Sequence, residues 1–268
     1  MAKIENLIKT KEVCSLLIAL SDMSQRKIFL NLARKHNIPL VNVISSKSYI
    51  SESAEFGSGL YLGDFSRLGP EVFLGDNILL SSYVNIEHHC VIGDNTTIRE
   101  CVTIHRGTKD KLSTRIGSNC LLMTYVHVAH DCIIGDNCIL ANAVQMAGHV
   151  TVGDFAIIGG SSAVHQFGQI GRHVMISGGS LVRKDVPPFT KSGREPLTYA
   201  GVNSIGLKRR GFTDELINEI QEVYRFLYNK GLNTNDALEQ IEKSIRKSPE
   251  RDEIIDFIRN SERGIMKG

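Results

Sequence analysis

Residues 127–165, HVAHDCIIGDNCILANAVQMAGHVTVGDFAIIGGSSAVH, carry an apolar residue at every sixth position. Extended from Ile44 to Val182, this spacing meets an apolar residue at 23 of 24 positions, and Asp110 is the exception. A chain that is 42% hydrophobic would not produce such a run by chance. A period of six matches neither the 3.6-residue period of an α-helix nor the alternation of a simple strand. It is typical of a hexapeptide β-helix, in which each repeat forms one short strand and one turn.

The residues around each apolar position predict how a repeat packs. The apolar residue fills the interior, and a small or β-branched residue two positions earlier fits beside it. Glycine often follows the apolar residue, as at Gly63 and Gly75, and we expect it to supply a turn conformation that a Cβ would penalise. Buried structural thiols, rather than a disulfide framework, are predicted for four of the six cysteines, which occupy the small position: Cys90, Cys120, Cys132 and Cys138.

Composition excludes several classes of protein. The net charge of +2 gives no case for binding nucleic acid. No run of about 18 apolar residues exists, so we expect no integral membrane segment. The N-terminus, MAKIENLIKTKEV, carries acidic residues and lacks a signal-peptide pattern. We therefore expect a reduced, cytoplasmic protein.

Three domains are predicted. Residues 1–43 contain a strand (14–20), a helix (21–37) and the start of a second strand (38–44), which together suggest a small βαβ-like cap. This cap has no glycine-rich phosphate loop. Residues 44–189 form the β-helix. Residues 190–268 form a linker, up to residue 212, and a C-terminal helical domain.

The boundaries of these domains rest on local signals. The polar stretch 106–115 contains Asp110 and is predicted to be a loop that leaves the coil. Pro187 and Pro188 cannot donate to a strand ladder and are predicted to end the repeats. Three amphipathic helices follow residue 213, with Gly231 as the stop of the first. Ser248 and Pro249 open the last helix as N-cap and first helical residue.

Four histidines, His127, His130, His149 and His165, lie off the six-residue apolar positions and should point outward. Such a cluster can serve as a general base for acyl transfer. It can also hold zinc with an open coordination position, as in the hexapeptide-type carbonic anhydrases, or form only a binding surface.

Known hexapeptide proteins form left-handed coils with three repeats per turn, and the resemblance to them implies that residues 18 apart stack. Gly148 would then lie beside His130, and Asp131 beside His149. The predicted fold class is mainly β, a left-handed parallel β-helix with a small N-terminal α/β cap and a C-terminal three-helix domain.

An ordered set of motifs from about Ile98 onward resembles the acyl-carrier-protein-dependent UDP-N-acetylglucosamine O-acyltransferases, the family that performs the first step of lipid A synthesis. The motifs are VTIHRGT (102–108), CLLM (120–123), HVAHDC (127–132), LAN (140–142), AGHV (147–150), GG-x-x-AVHQF (159–167) and GVN-x-x-GLKRRGF (201–212).

The resemblance implies a role for each matching residue. His130 would deprotonate the 3-hydroxyl of the sugar with support from Asp131, and the backbone N–H of Gly148 would stabilise the oxyanion. Gly178, with Met175, would measure the length of the acyl chain. The cleft for the nucleotide sugar and the phosphopantetheine would be lined by His105, His127, His149, His165, Gln166, Asn203, Arg209 and Arg210.

The same resemblance implies the partners. The acyl donor is acyl carrier protein, which brings its own phosphopantetheine, so no separate cofactor and no metal are expected. The acceptor is a nucleotide sugar. The family also forms a homotrimer with active sites between subunits, which suits an outward-facing cluster that needs a second wall to exclude water.

The first third of the chain departs from this family. Residues 84–95, VNIEHHCVIGDN, and the short segment before the repeats resemble sialic-acid and bacillosamine-type sugar acetyltransferases. Residues 74–98 keep the six-residue register unbroken, which leaves no space for the loop that contacts the nucleotide sugar in the family. Two alternatives follow. One is an acyl- or acetyl-CoA-dependent transferase for a different sugar nucleotide, and the other is a non-catalytic or zinc-binding scaffold.

Overall fold

The computed structural model describes residues 15–20 and 22–268. They fall into two compact units, which meet in sequence between Asp131 and Cys132. The first unit contains helix α1 (Met23–Lys35) and strands β1 (Val43–Ile44), β2 (Tyr49–Ile50), β3 (Glu55–Phe56), β4 (Tyr61–Leu62), β5 (Arg67–Leu68), β6 (Phe73–Leu74), β7 (Leu79–Leu80), β8 (Asn85–Ile86), β9 (Cys90–Ile92), β10 (Thr97–Ile98), β11 (Thr103–Ile104), β12 (Thr114–Ile116), β13 (Leu121–Leu122) and β14 (His127–Val128).

The second unit continues with short strands and then helices. Its elements are β15 (Ile133–Ile134), β16 (Ile139–Leu140), β17 (Gln145–Met146), β18 (Thr151–Val152), β19 (Ile157–Ile158), β20 (Ala163–Val164), β21 (Gln169–Ile170), β22 (Met175–Ile176), β23 (Leu181–Val182), β24 (Thr190–Gly193), β25 (Thr198–Val202), α2 (Ser204–Arg209), α3 (Asp214–Asn229), α4 (Thr234–Ser244) and α5 (Pro249–Arg259).

Parallel pairing of every third strand confirms the predicted hexapeptide solenoid. In the first unit Ile44 pairs with Leu62, and Leu62 with Leu80, so residues 18 apart are stacked neighbours. In the second unit Ile139 pairs with Ile157 in the same way. Three strands therefore complete one turn, as the period of six requires.

The interior is filled as expected. The six-step residues are almost all buried, and Leu68, Leu74 and Leu80 have no exposed surface. The exceptions are Asp110, in the loop, and the N-terminal repeats, where Ile44 on the first described strand is 41% exposed. Burial raises the pKa of the Cys90 thiol to about 12, so this cysteine is an inert packing residue.

The expectation for the glycines is wrong in its physical reason. Gly63 has no left-handed backbone; a Cβ built on it would lie 2.7 Å from the backbone nitrogen of Ser82 on the next turn. The left-handed conformation falls instead on non-glycine residues two positions later, such as Phe65 (φ 58°) and Tyr83 (φ 62°). At Gly63 glycine is needed because the neighbouring turn approaches closely.

The predicted loop at 106–115 is present but shorter. Thr114 and Arg115 belong to β12, which pairs with β9 through Thr114↔Cys90. The side chains of Thr114 and Ile116 are buried while Arg115 is exposed, so this polar segment alternates as a strand does. The pairing step here is 24 residues instead of 18, and the loop is a six-residue insertion.

The N-terminal strands predicted at 14–20 and 38–44 are mostly absent. Leu16 and Leu40 form a single parallel bridge, and β1 starts only at Val43. Two carbonyls of the first segment are bound by a side chain instead of a strand: the buried Arg26 donates to the carbonyl oxygens of Ile18 (3.3 Å) and Leu20 (3.2 Å). Residues 14 and 21 of these predictions lie outside the described residues.

The helix predicted at 21–37 is α1, and Asp22 caps it by accepting from the backbone N–H of Gln25.

The predicted linker at 190–212 is wrong. It contains the antiparallel pair β24–β25 and helix α2. Strand β24 resumes the ladder after the prolines and pairs with β22 through Met175↔Lys191. A proline pair removes only its own donors, so the ladder starts again at Thr190.

The three C-terminal helices are confirmed. Thr213 and Ser248 cap α3 and α5, and Gly231 follows α3 with φ 68°. No helix among residues 15–20 and 22–268 is long and apolar enough to cross a membrane. The three domain limits stay predictions.

Replacing Gly63 with alanine should lower the free energy of unfolding by about 1–3 kcal/mol, because the new methyl group collides with the next turn. Ser81 holds the same position in its hexapeptide and already carries a Cβ, so Ser81→Ala should change it by less than about 0.5 kcal/mol. Urea unfolding measures both. Equal effects would contradict the close-approach explanation.

Candidate functional site

The inserted loop and the turn after β14 build one hydrogen-bonded cluster. Asp131 is completely buried, and its Oδ2 atom lies 2.9 Å from Nδ1 of His130. Thr108 donates twice to Asp131, from its backbone N–H to Oδ1 (2.9 Å) and from its hydroxyl to Oδ2 (2.6 Å). The N–H of Lys111 adds a third donor at 3.3 Å, and the N–H of Asp131 donates to the hydroxyl of Thr114 (3.0 Å). The loop therefore fixes the carboxylate that contacts His130.

These contacts keep Asp131 ionised. Burial raises the pKa of its carboxyl, but the hydrogen bonds from Thr108 and His130 outweigh burial and lower the pKa to about 2. An ionised carboxylate can only accept, so Nδ1 of His130 must carry the proton that it shares with Asp131. The other ring nitrogen, Nε2, is then the basic one. This is the arrangement that a histidine general base requires.

A cavity of about 350 Å³ opens beside His130. Glu87, His105, Arg106 and Thr108 line it together with the His130 ring, and every one of these side chains is polar. The cavity therefore suits a ligand with several hydrogen-bonding groups.

The structure brings His105 and His127 together. Their rings lie 4.7 Å apart at 84°, and Nδ1 of His127 is 2.8 Å from the hydroxyl of Thr103. Burial, and to a lesser extent His105, lowers the pKa of His127, so its ring is neutral at pH 7. A neutral imidazole ring can donate one hydrogen bond to a ligand, and with its lowered pKa it is a poor acceptor of the ligand's proton.

In the second unit, His149 has φ 61° and stacks on Phe167 with ring centroids 4.6 Å apart. His165 is exposed, and its Nδ1 lies 3.0 Å from the carbonyl oxygen of Gln166. Gly148 is buried. The expected convergence of these residues with His130 stays a prediction.

The predicted residues of the 201–212 motif differ in exposure. Asn203 is buried; its amide donates to the carbonyl oxygen of His173 (2.9 Å) and its Oδ1 accepts from the N–H of Gly206 (3.3 Å). This side chain caps α2 and holds it in place. Arg210 lies over the ring of Phe155 and donates to its carbonyl oxygen (3.2 Å), whereas Arg209 is exposed.

Gly178 and Met175 lie on the turn that begins with β22. Gly178 is exposed, and a Cβ built on it would lie 3.1 Å from the carbonyl oxygen of Gly160. Met175 is half-buried and pairs with Ile157. A side chain at position 178 would therefore project outward from this turn.

Sequence reasoning missed three members of the first-unit cavity: Glu87, Arg106 and Thr108. Two of them stand inside the motif VTIHRGT, and Glu87 inside VNIEHHCVIGDN, so the signal was present in the quoted motifs. It could not be used, because the six-residue insertion changes which residues share a turn.

Comparison with known families gives two matches. Residues 185–266 match the sequence model of UDP-N-acetylglucosamine O-acyltransferase, domain 2. Residues 71–106 and 113–148 match the model of the bacterial transferase hexapeptide (six repeats). The gap between the two hexapeptide matches coincides with the inserted loop.

Individual relatives cover more of the chain than the sequence motifs indicated. An acyl-[acyl-carrier-protein]–UDP-N-acetylglucosamine O-acyltransferase from Pseudomonas putida (strain W619) is 35% identical over 258 residues, 85% of this chain and 100% of that protein. Its counterpart in Burkholderia orbicola (strain MC0-3) is 38% identical over 211 residues, 77% of this chain and 80% of that protein.

A solved UDP-N-acetylglucosamine acyltransferase from Bacteroides fragilis superposes with a TM-score of 0.75 at 38% identity, over 84% of this chain and 100% of that one. The likeness is therefore not confined to residues after Ile98. It also supports the predicted fold class of a β-solenoid followed by a helical domain.

Thr108→Val should make the protein less stable at neutral pH by about 1–3 kcal/mol, because a hydrogen bond to a buried carboxylate is lost. The folded-state pKa of Asp131 lies below its ordinary value of 3.8, so its stabilisation is present above about pH 4 and is lost as the pH falls toward about 2. In Thr108→Val the folded-state pKa of Asp131 should lie closer to 3.8, so this loss should be smaller and should end at a higher pH.

Thr108→Ser keeps the hydroxyl and serves as the matched control. Urea unfolding between pH 2 and pH 7 measures both variants. Identical pH profiles for the valine and serine variants would contradict the role of the hydroxyl.

Proposed function

Because this chain belongs to the family of hexapeptide-repeat acyl-[acyl-carrier-protein]–UDP-N-acetylglucosamine O-acyltransferases, we propose that it transfers a 3-hydroxyacyl group from acyl carrier protein to the 3-hydroxyl of UDP-N-acetylglucosamine in lipid A biosynthesis. The observation that carries the proposal is the His130–Asp131 pair, whose carboxylate is held by the inserted loop.

His130 acts as the general base. Its Nε2 takes the proton of the sugar 3-hydroxyl as the oxygen attacks the thioester carbonyl. The ionised Asp131 stabilises the imidazolium that forms and holds the ring in place. The resulting tetrahedral intermediate carries an oxyanion, for which the backbone N–H of Gly148 is the proposed donor.

Collapse of the intermediate breaks the carbon–sulfur bond. His130 returns its proton to the departing phosphopantetheine thiolate, so the products are the 3-O-acylated nucleotide sugar and the free thiol of the carrier protein. The proton balance closes on His130, and no separate cofactor is required.

The remaining predicted residues bind the two substrates in this proposal. His105 and His127 line the acceptor side, where their ring nitrogens can form hydrogen bonds with the sugar. Arg209, which is exposed, suits the oxygens of a diphosphate or of phosphopantetheine, since a guanidinium donates in pairs. His149, His165, Gln166, Asn203 and Arg210 keep their predicted places in the cleft as part of the proposal.

A cytoplasmic homotrimer with the sites between subunits completes the proposal. An outward-facing base such as His130 needs a second wall to exclude water, and a second copy of the chain would supply that wall. The carrier protein and the nucleotide sugar are the only other partners proposed.

A second candidate function is transfer from acetyl-CoA or another acyl-CoA to a different sugar nucleotide. It is favoured by the first unit, where β6 to β10 follow one another at the regular spacing with no loop inserted. It is also favoured by His88 and His89, whose Nδ1 atoms lie 2.7 Å apart.

His130→Ala should lower kcat by about 10²–10⁴-fold while the fold is retained, since general-base catalysis contributes that much. The assay uses 3-hydroxyacyl carrier protein with UDP-N-acetylglucosamine, and with UDP-N-acetylgalactosamine and a 3-amino sugar nucleotide in parallel. His36→Ala, at the end of α1, is the control and should keep full activity. A His130→Ala variant with most of its activity would remove His130 from this role.

The same assay separates the two candidate functions. Turnover with carrier protein and UDP-N-acetylglucosamine supports the first, and turnover only with acetyl-CoA or another acceptor supports the second.

Gly178→Met should shift the preference toward shorter acyl chains, because the new side chain would occupy space beside the donor. Each methylene that can no longer be buried costs about 0.8 kcal/mol, roughly a fourfold loss in relative kcat/KM. Competition between 3-hydroxyacyl carrier proteins of different chain length measures the shift. Gly178→Ala should give a smaller shift in the same direction, and an unchanged preference in both would exclude position 178 as the length determinant.

A further inference from the structure

Glu87 is held at the wall of the cavity that also contains His130. Its Oε1 atom accepts from the amide of Asn85 (3.0 Å) and from the guanidinium of Arg67 (3.1 Å). Its backbone N–H donates to the carbonyl oxygen of Ile104 (2.9 Å), which continues the ladder. The carboxylate therefore has a defined position on a rigid turn.

Glu87 is also ionised at neutral pH. The hydrogen bond from Asn85 lowers the pKa of its carboxyl more than burial raises it, and the charge of Arg67 lowers it further. Within the part of the chain that the structure describes, Oε2 has no hydrogen-bond partner. A half-buried carboxylate oxygen of this kind has a strong demand for donors, and the cavity is where they can come from.

The ladder fixes how far Glu87 lies from the reacting base. Asn85 pairs with Thr103, and Thr103 pairs with His127, so the turns after β8 and β14 are two strand spacings apart. Two spacings amount to roughly 10 Å along the solenoid axis. Glu87 and His130 line the same cavity from turns this far apart, a separation that one sugar ring with its hydroxyls can bridge.

Charge decides which part of a nucleotide sugar faces Glu87. A carboxylate accepts hydrogen bonds from hydroxyl and amide N–H groups and repels phosphate oxygens. Arg106, on the turn between them, offers the opposite charge to the same cavity. The side of the cavity at Glu87 therefore suits the ring hydroxyls of the acceptor and disfavours its diphosphate.

We propose that Glu87 is a specificity-determining residue that binds a ring hydroxyl of the acceptor sugar while the 3-hydroxyl lies at His130. This inference rests on the proposed function. Glu87, supported by Arg67, then binds the acceptor from a regular turn of the first unit. The loop that contacts the nucleotide sugar in the family is not needed for this contact.

The test is Glu87→Gln, which is nearly isosteric and keeps an oxygen for Asn85 and Arg67. The KM for UDP-N-acetylglucosamine should rise about 10- to 100-fold, because a hydrogen bond to a charged group is weakened. The kcat and the KM for the acyl donor should change by less than about threefold. Glu55→Gln, an exposed carboxylate on β3, is the matched control and should change neither.

Deoxy acceptors identify the hydroxyl. Two analogues of UDP-N-acetylglucosamine are compared, the 4-deoxy and the 6-deoxy sugar. With the analogue that lacks the hydroxyl bound by Glu87, wild type and Glu87→Gln should show the same KM, because the hydrogen bond cannot form in either protein. If Glu87→Gln does not fold, Glu87→Asp takes its place, since it withdraws the carboxylate from the cavity while the charge is kept.

The possible outcomes separate the two proposals. An acceptor KM within twofold of wild type, or a loss confined to kcat, overturns the role of Glu87. A wild-type enzyme that ignores UDP-N-acetylglucosamine but acylates another sugar nucleotide overturns the proposed function alone, and the KM ratio for Glu87→Gln is then measured with that acceptor. A wild type that is inert on every acceptor overturns both.

Discussion

The close approach of successive turns is the constraint on which this structure depends. Backbone hydrogen bonds join residues 18 apart, and glycines such as Gly63 have no room for a Cβ against the next turn. At the corners, non-glycine residues adopt left-handed backbones that cost about 1–2 kcal/mol each in isolation. The backbone hydrogen bonds between turns offset this cost. Polar side chains add further hydrogen bonds between turns: the amide of Asn77 donates to Asn95 (2.7 Å), and that of Asn95 donates to Asn119 (3.1 Å).

A scaffold this regular offers few places for chemistry, and the corners are those places. Asp131 (φ 60°) and His149 (φ 61°) both occupy the left-handed corner position. The backbone N–H of Asp131 donates to the hydroxyl of Thr114, and its carboxylate is bonded to Thr108 and His130, so this residue is held at both its backbone and its side chain. Precise positioning of the His130–Asp131 pair therefore follows from hydrogen bonds of the scaffold itself.

The inserted loop interrupts the 18-residue repeat in the first unit, and its contacts show what it does. Six residues leave the coil between β11 and β12, and their donors converge on Asp131. A buried carboxylate without such donors would be protonated or would destabilise the fold. With them the carboxylate stays ionised and holds Nδ1 of His130, which leaves Nε2 of that ring as the basic nitrogen. On the other wall of the cavity, Arg67 and Asn85 hold Glu87 in a comparable way.

The period of six by itself determined the solenoid, because a repeat of one apolar residue every sixth position buries its side chains in no other common architecture. The resemblance of the motifs to a known family likewise implied that His130 is the candidate base and Asp131 its supporting carboxylate. The sequence did not reveal why the glycines are needed, since close approach is a property of two turns and not of one. It also could not show that Thr108 bonds Asp131, or that Glu87 shares a cavity with His130. Those contacts join residues 23 and 43 positions apart. Both contacts depend on which residues of successive turns lie side by side after the inserted loop. Hydrogen-bond pairing between the turns sets this register, so only the tertiary structure decides it.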